Sequence, residues 1–250
     1  MPTMILDMVH AYPVDGVIML GDYMDDWHAT TEDRVMFMRA LAIMQATLED
    51  NGITVRMLIG NHDLPYLVGT DDPVSRSISY TSPGLDEDAV DDVHHIMMGM
   101  GHWDYATGIT VNGREWICSD AGITQSWADR HGMTNDPVGF VNGSSMRALM
   151  ECGRGRGGHD IAPSPLWADK TELIDDPCAG LLQIIGHTPV PTITSVRTMN
   201  EGMVFMDTFS HDSDNTDIGD GSMLLIDDGI RGDEWLPDGM MGIGYDEWDS

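Results

Sequence analysis

The chain has 250 residues, enough for one large domain or two small ones with a sizeable buried core. Twelve basic residues face 42 acidic ones, a formal charge of −30, and Lys170 is the only lysine. Such a surface repels nucleic acid and anionic membranes, so neither is expected as a partner; an anionic substrate would need a local cation to reverse the field.

The opening segment MPTMILDMVHAY lacks a basic flank and a continuous apolar run, so it does not read as a signal peptide. No apolar stretch reaches the roughly 18 residues of a membrane span. Val17–Leu20 reads as a short, fully apolar strand of the buried parallel type. Thr30 or Thr31 then caps a helix running to about Asp50, with Val35, Met38, Leu41, Ala42 and Leu48 on one face. Asn51-Gly52 stops it, and Ile53–Ile59 supplies a second strand. Strand, helix and strand at this spacing form a βαβ unit, hence a parallel pair. Both strands end in glycine and polar residues, GDYMDD and GNHD, and these two loops are expected side by side at the carboxyl edge.

Residues 70–92 read as a loop leading into a helix near 88–100. Tyr105–Val111 and Arg114–Cys118 flank Asn112-Gly113 as a hairpin, which delivers SDAG at 119–122. Helical patterns follow at about 124–131 and 138–150, and CGRGRGGHD (152–160) reads as a flexible glycine-rich loop. Leu181–Ile185 is another apolar strand, ending in GHTP. Met203–Asp207 and Ser222–Ile226 read as late strands of an antiparallel meander. One domain is expected over 1–227, followed by a loosely packed acidic tail over 228–250. Cys118, Cys152 and Cys178 show no C-x-x-C spacing, as expected of reduced thiols in a cytoplasmic protein.

Three strands thus end in carboxylate, amide and imidazole side chains: Asp22, Asp25, Asn61, His62 and His187. Such donors suit hard-to-borderline divalent cations, the equipment of metal-assisted phosphoester hydrolysis. In order and context, GDYMDD, IGNHD and IIGHTPV resemble the blocks of the calcineurin-like metallophosphoesterases, which include Ser/Thr protein phosphatases and diadenosine tetraphosphate hydrolases. The resemblance runs from about Val14 to Asp207. It implies an α/β fold, an α/β/β/α sandwich of two mixed sheets flanked by helices. It also implies that Asp22 bridges two metals, that Asn61 and His187 bind the second, and that His62, held by Asp25, is the general acid.

The family's first D-x-H block is missing: Asp7 and His10 are spaced D-x-x-H, and sixteen residues leave no room for a strand and crossover before Val17. The first strand is therefore expected to lie outside this chain. Asp26 stands where the family has a phosphate-gripping arginine, and Asp120 where it has a metal-binding histidine. With Asp22, Asn61, Asp120 and His187 the second site would be oxygen-rich, favouring Mn²⁺ or Mg²⁺ over Fe²⁺ or Zn²⁺. Arg154 and Arg156 are candidates for the missing phosphate clamp, with solvated loop arginines as the plainer reading. His94-His95 and the remaining histidines read as surface or structural, Met36, Met38, Met44, Met97 and Met98 as core filling, and Asp227, Asp228 and Asp233 as solvated. The function implied is a metal-dependent phosphomonoesterase acting on a phosphorylated small molecule or a phosphoprotein. The alternatives are a dinucleoside polyphosphate hydrolase and an inactive relative kept as a binding module.

Overall fold

The structure, a computed structural model, describes residues 1–24, 26–69, 84–197, 201–212, 214–232 and 236–244. Asp25 and Asp233 lie outside the described residues. The chain forms two compact units, Met1–Asp104 and Tyr105–Ser250.

In the first unit, Pro2 at a helix start, where its missing N–H costs nothing, opens α1 (Pro2–Ala11), and Asp7 and His10 are exposed on it. β1 (Gly16–Met19) pairs in parallel with β2 (Thr54–Met57), Val17 opposite Val55, as the βαβ reading requires. Between them runs α2 (Thr31–Asp50). Thr30 caps it reciprocally: the Asp33 N–H donates to the Thr30 hydroxyl at 3.2 Å, and the Thr30 N–H to the Asp33 carboxylate at 3.0 Å. Val35, Met38, Leu41, Met44 and Leu48 form its buried face. Among the described residues of this unit, α3 (Leu64–Val68) and α4 (Val90–Gly99) follow. His94 on α4 fastens them, its Nδ1 lying 3.0 Å from the carbonyls of Tyr66 and Leu67, so this histidine is structural. Of the methionines expected in the core, Met38, Met44 and Met97 are buried, whereas Met36 and Met98 are exposed: their positions fall off the apolar stripe of each helix.

The second unit is built on a five-stranded mixed sheet. β3 (Ala106–Val111) and β4 (Arg114–Ser119) form the expected hairpin, turning through Asn112 and Gly113 at φ 50° and 72°. β5 (Leu182–Pro189), β6 (Thr194–Arg197) and β7 (Gly202–Asp207) complete the order β3-β4-β5-β7-β6. The β4–β5 and β5–β7 pairs are parallel and the β3–β4 and β6–β7 pairs antiparallel. The helices of this unit are α5 (Gln125–His131), α6 (Pro137–Asn142), α7 (Met146–Leu149) and α8 (Lys170–Asp175). The single helix expected over 138–150 is therefore two, because Ser145 starts a new helix by accepting from the Ala148 N–H.

Two further expectations are corrected here. Met203–Asp207 and Ser222–Ile226 do not pair as a meander: β7 lies beside β5, while β8 (Met223–Ile226) pairs with β9 (Met240–Ile243). The acidic tail is also better packed than its charge suggested, since Leu236, Met240 and Ile243 are buried. The chain is thus α/β. Among the described residues no helix is long and apolar enough to cross a membrane.

Cys178 sits in the apolar cluster of Ile123, Trp127 and Val141, and burial pushes its thiol up to about 11, with Asp129 and Asp176 adding to the shift. The folded state therefore keeps a proton that the unfolded chain releases near 9.0. Stability from this thiol is complete below that value and is lost as pH rises towards 11. Urea unfolding between pH 8 and 11 is expected to show this loss, and Cys178→Ala to flatten that part of the profile.

Candidate functional site

The first unit brings together Asp22, Asn61 and His62 at the carboxyl ends of β1 and β2. Their backbones approach so closely that Gly21 and Gly60 are both required. A Cβ on Gly21 would collide with the Gly60 backbone, and one on Gly60 with Asp22. Gly21 also takes a φ of 118°, and Asp22 itself stands at φ 57°, an uncommon conformation for a residue with a side chain. The His62 N–H donates to Asp22 Oδ1 at 3.1 Å, and Asn61 is 2% exposed. The two polar loops are adjacent, as expected.

What holds them is a residue the sequence analysis passed over. Asp63 is fully buried, and its carboxylate accepts three backbone N–H groups: Asp22 at 2.7 Å, Gly60 at 3.0 Å and Met24 at 3.2 Å. One carboxylate thus ties the GDYM segment to GNHD. Although it directly precedes the short apolar helix LPYLV, Asp63 does not cap it: its carboxylate turns back to N–H groups earlier in the chain, which no local pattern announces.

The second unit brings Asp120 and His187 together. Asp120 follows β4 and His187 lies on a bulge near the end of β5, where the register with β7 shifts between Ile185 and Pro189. The Gly186 N–H donates to the Asp120 carbonyl at 2.9 Å. His187 adopts φ 60°, the left-handed region again. Its side chain is 3% exposed and that of Asp120 1%, and His187 Nδ1 is 3.4 Å from Asp120 Oδ2. Two atoms each about 2.1 Å from one cation stand roughly 3.0–3.4 Å apart at octahedral or tetrahedral angles, so this pair has the spacing of co-ligands. The donor chemistry, carboxylate with imidazole, fits a divalent cation as well.

The two arginines of the glycine-rich segment are placed differently from each other. Arg154 is exposed, but Arg156 is not a free clamp: its Nη2 donates to the His187 carbonyl at 3.1 Å and to the Thr188 hydroxyl at 2.7 Å. Its Nε lies 3.3 Å from Asp169 Oδ2. Burial alone would raise the Asp169 pKa, but hydrogen bonds from Thr171 and the Arg156 charge bring it below the usual carboxylate range. Nor is the segment around Arg156 a flexible loop. Arg154–Arg156 form a 3₁₀ turn, and a Cβ at Gly153 or Gly155 would strike Glu172 or Asp169. Asp26, the misfit of the sequence, closes a turn of its own by accepting from the N–H groups of His28 at 2.8 Å and Ala29 at 3.1 Å. Arg34, buried on α2, donates to the carbonyls of Asp26 at 2.7 Å, Gly84 at 3.2 Å and Ala29. Asp25, expected to hold His62, lies outside the described residues.

No protein-family model and no curated protein matches this chain. Among solved structures it is similar to a cold-active protein-tyrosine phosphatase of a psychrophilic Shewanella species, with TM-score 0.40 and 16% identity over 77% of this chain and 60% of that one. A second structure, of a cold-active protein tyrosine phosphatase, gives TM-score 0.43 and 15% identity over 77% and 58%. The chain thus spans about three-fifths of the structures it resembles.

Asp63→Asn replaces one acceptor oxygen by a donor facing buried N–H groups, and is expected to lower unfolding free energy by about 2–4 kcal/mol. Asp26→Asn, an exposed turn that the amide oxygen can still close, should stay within about 0.5 kcal/mol. Urea denaturation of the two variants beside the parent reads the contrast.

Proposed function

We propose that the chain is a divalent-metal-dependent phosphoesterase that hydrolyses phosphomonoesters, with phosphoserine or phosphothreonine in proteins among its substrates, acting in the cytoplasm. The observation that carries this reading is the backbone at the strand ends: GD follows β1, GNHD follows β2 and GH lies on the bulge near the end of β5, and Asp22 and His187 are both held in left-handed backbone. Backbone strain persists only where the surroundings over-determine it, and it collects at functional sites. The calcineurin-like resemblance supplies the roles, and its α/β/β/α sandwich is the fold that goes with them.

On this reading Asp22 and Asn61 in the first unit, and Asp120 and His187 in the second, are metal ligands. Mn²⁺ is the favoured ion because oxygen donors dominate the set, with Fe²⁺, Zn²⁺ and Mg²⁺ as alternatives. When bound, the metal supplies a polarised phosphoryl oxygen and a water of lowered pKa. The chain's own part is to hold its ligands rigid and to move one proton. Asp63 fixes the backbone of Asp22, and Asp22 in turn accepts the His62 N–H. His62, half-buried beside it, is the group assigned to protonate the leaving alkoxide.

Chelator-treated protein supplemented with Mn²⁺ is expected to hydrolyse p-nitrophenyl phosphate. His62→Ala should reduce kcat by roughly 10²–10⁴-fold with metal binding retained. Full activity in His62→Ala would remove the acid assignment. Metal uptake without turnover on any ester would favour a binding module, and no uptake of any of the four ions would overturn the proposal.

A further inference from the structure

We infer that Arg156 is a positioning residue for His187, and that the glycine-rich segment 153–158 is the strap carrying it. This rests on the reading of His187 as a metal ligand. His187 departs from strand geometry at φ 60° on a bulge, a conformation that costs free energy and needs an external restraint. On the near side of this residue the Gly186 N–H donates to the Asp120 carbonyl at 2.9 Å. Beyond it, Arg156 takes the His187 carbonyl and the Thr188 hydroxyl with one nitrogen.

The arginine is itself aimed from several directions. Asp169 stands beside its Nε, and the Lys170 N–H donates to the same Thr188 hydroxyl at 3.1 Å. Glu172 accepts from the Gly155 N–H at 3.1 Å and from the Asp169 N–H at 3.0 Å, so the strap and the start of α8 are sewn together. The glycines make this possible. Side chains at Gly153 and Gly155 would occupy the space of Glu172 and Asp169, and one at Gly158 would strike the Cys152 carbonyl. The result is a closed ring of Arg156, Asp169, Lys170 and Thr188, with the His187 carbonyl held by the same arginine nitrogen that meets Thr188. Groups that orient a metal-binding imidazole from behind change metal affinity without touching the metal. A lysine cannot reproduce this, because a single ammonium lacks the planar fork that serves a carbonyl, a hydroxyl and a carboxylate at once.

The experiment compares the full chain with Arg156→Ala, Arg156→Lys and Arg154→Ala by hydrogen exchange without metal and by Mn²⁺ titration calorimetry. In Arg156→Ala, the amides of residues 186–190 and of Lys170 should exchange roughly tenfold faster or more, since a local restraint has gone. Mn²⁺ affinity should fall by about 10–100-fold, with Arg156→Lys intermediate and Arg154→Ala unchanged. Wild-type exchange at 186–190 in Arg156→Ala would overturn the strap. Unchanged Mn²⁺ affinity in that variant, with the parent binding Mn²⁺, would overturn its role towards His187. A parent that binds none of Mn²⁺, Fe²⁺, Zn²⁺ and Mg²⁺ refutes the proposed function and with it the role towards a metal, while the exchange comparison still decides whether Arg156 restrains the bulge.

Discussion

A single buried carboxylate organises the first unit. Asp63 is out of water, and a buried charge is tolerated only when its lone pairs are filled. Here they are filled by backbone N–H groups of Gly60, Asp22 and Met24, which cannot be supplied unless the chain after β1 folds over the chain after β2. The requirement propagates outward. The crossing needs glycine at 21 and 60, it places Asp22 in left-handed backbone, and it leaves the Asp22 carboxylate able to accept from His62. Removing the anion would take away the acceptor that three backbone N–H groups share, so the loop geometry and the charge stand or fall together.

The second unit meets the same problem with the opposite charge. His187 also sits in left-handed backbone, but what is clamped there is a carbonyl, and the clamp is the guanidinium of Arg156. An anion holds three N–H groups in one case and a cation holds one C=O group in the other. In both, a charged side chain distant in sequence fixes the main chain of a residue in left-handed backbone. On the proposed reading, that division of labour is what a pre-organised ligand requires: the strained residue contributes donor atoms, and a neighbour supplies the restraint.

The strands bearing these residues were legible because a short apolar run stopped at glycine announces a buried strand and its end, as at Val17–Leu20 and Leu181–Ile185. Helix α2 was legible from its cap and its 3.6-residue period. What escaped depends on partners far along the chain. Asp63 reads as one more acid until its acceptors' donors, some forty residues earlier, are placed beside it. The glycines of 153–158 suggest mobility, yet they exist for close approach to α8, which composition does not encode. The β7 residues MVFM are apolar without alternation, a pattern that fits a strand covered on both faces in a parallel pair better than the meander assigned to it. The tail misled through its charge, which hid the three apolar residues that anchor it.

The arginines sharpen the electrostatic question posed by a chain of −30. Arg34 spends its guanidinium on the carbonyls of the Asp26–Ala29 turn and Gly84, and Arg156 spends its own on the His187 carbonyl and Thr188. Both stabilise backbone, so their donors are committed to main chain and Thr188 rather than to a bidentate phosphate contact, and Asp169 partly offsets the charge of Arg156. Asp26, by accepting two N–H groups in its turn, is likewise a loop-forming acid rather than an arginine's failed replacement. On the proposed reading, attraction of an anionic ester by these loops therefore falls to bound cations. Oxygen-rich ligands in excess of local positive charge are the consistent solution, since they raise the affinity for a divalent ion whose charge the side chains do not supply.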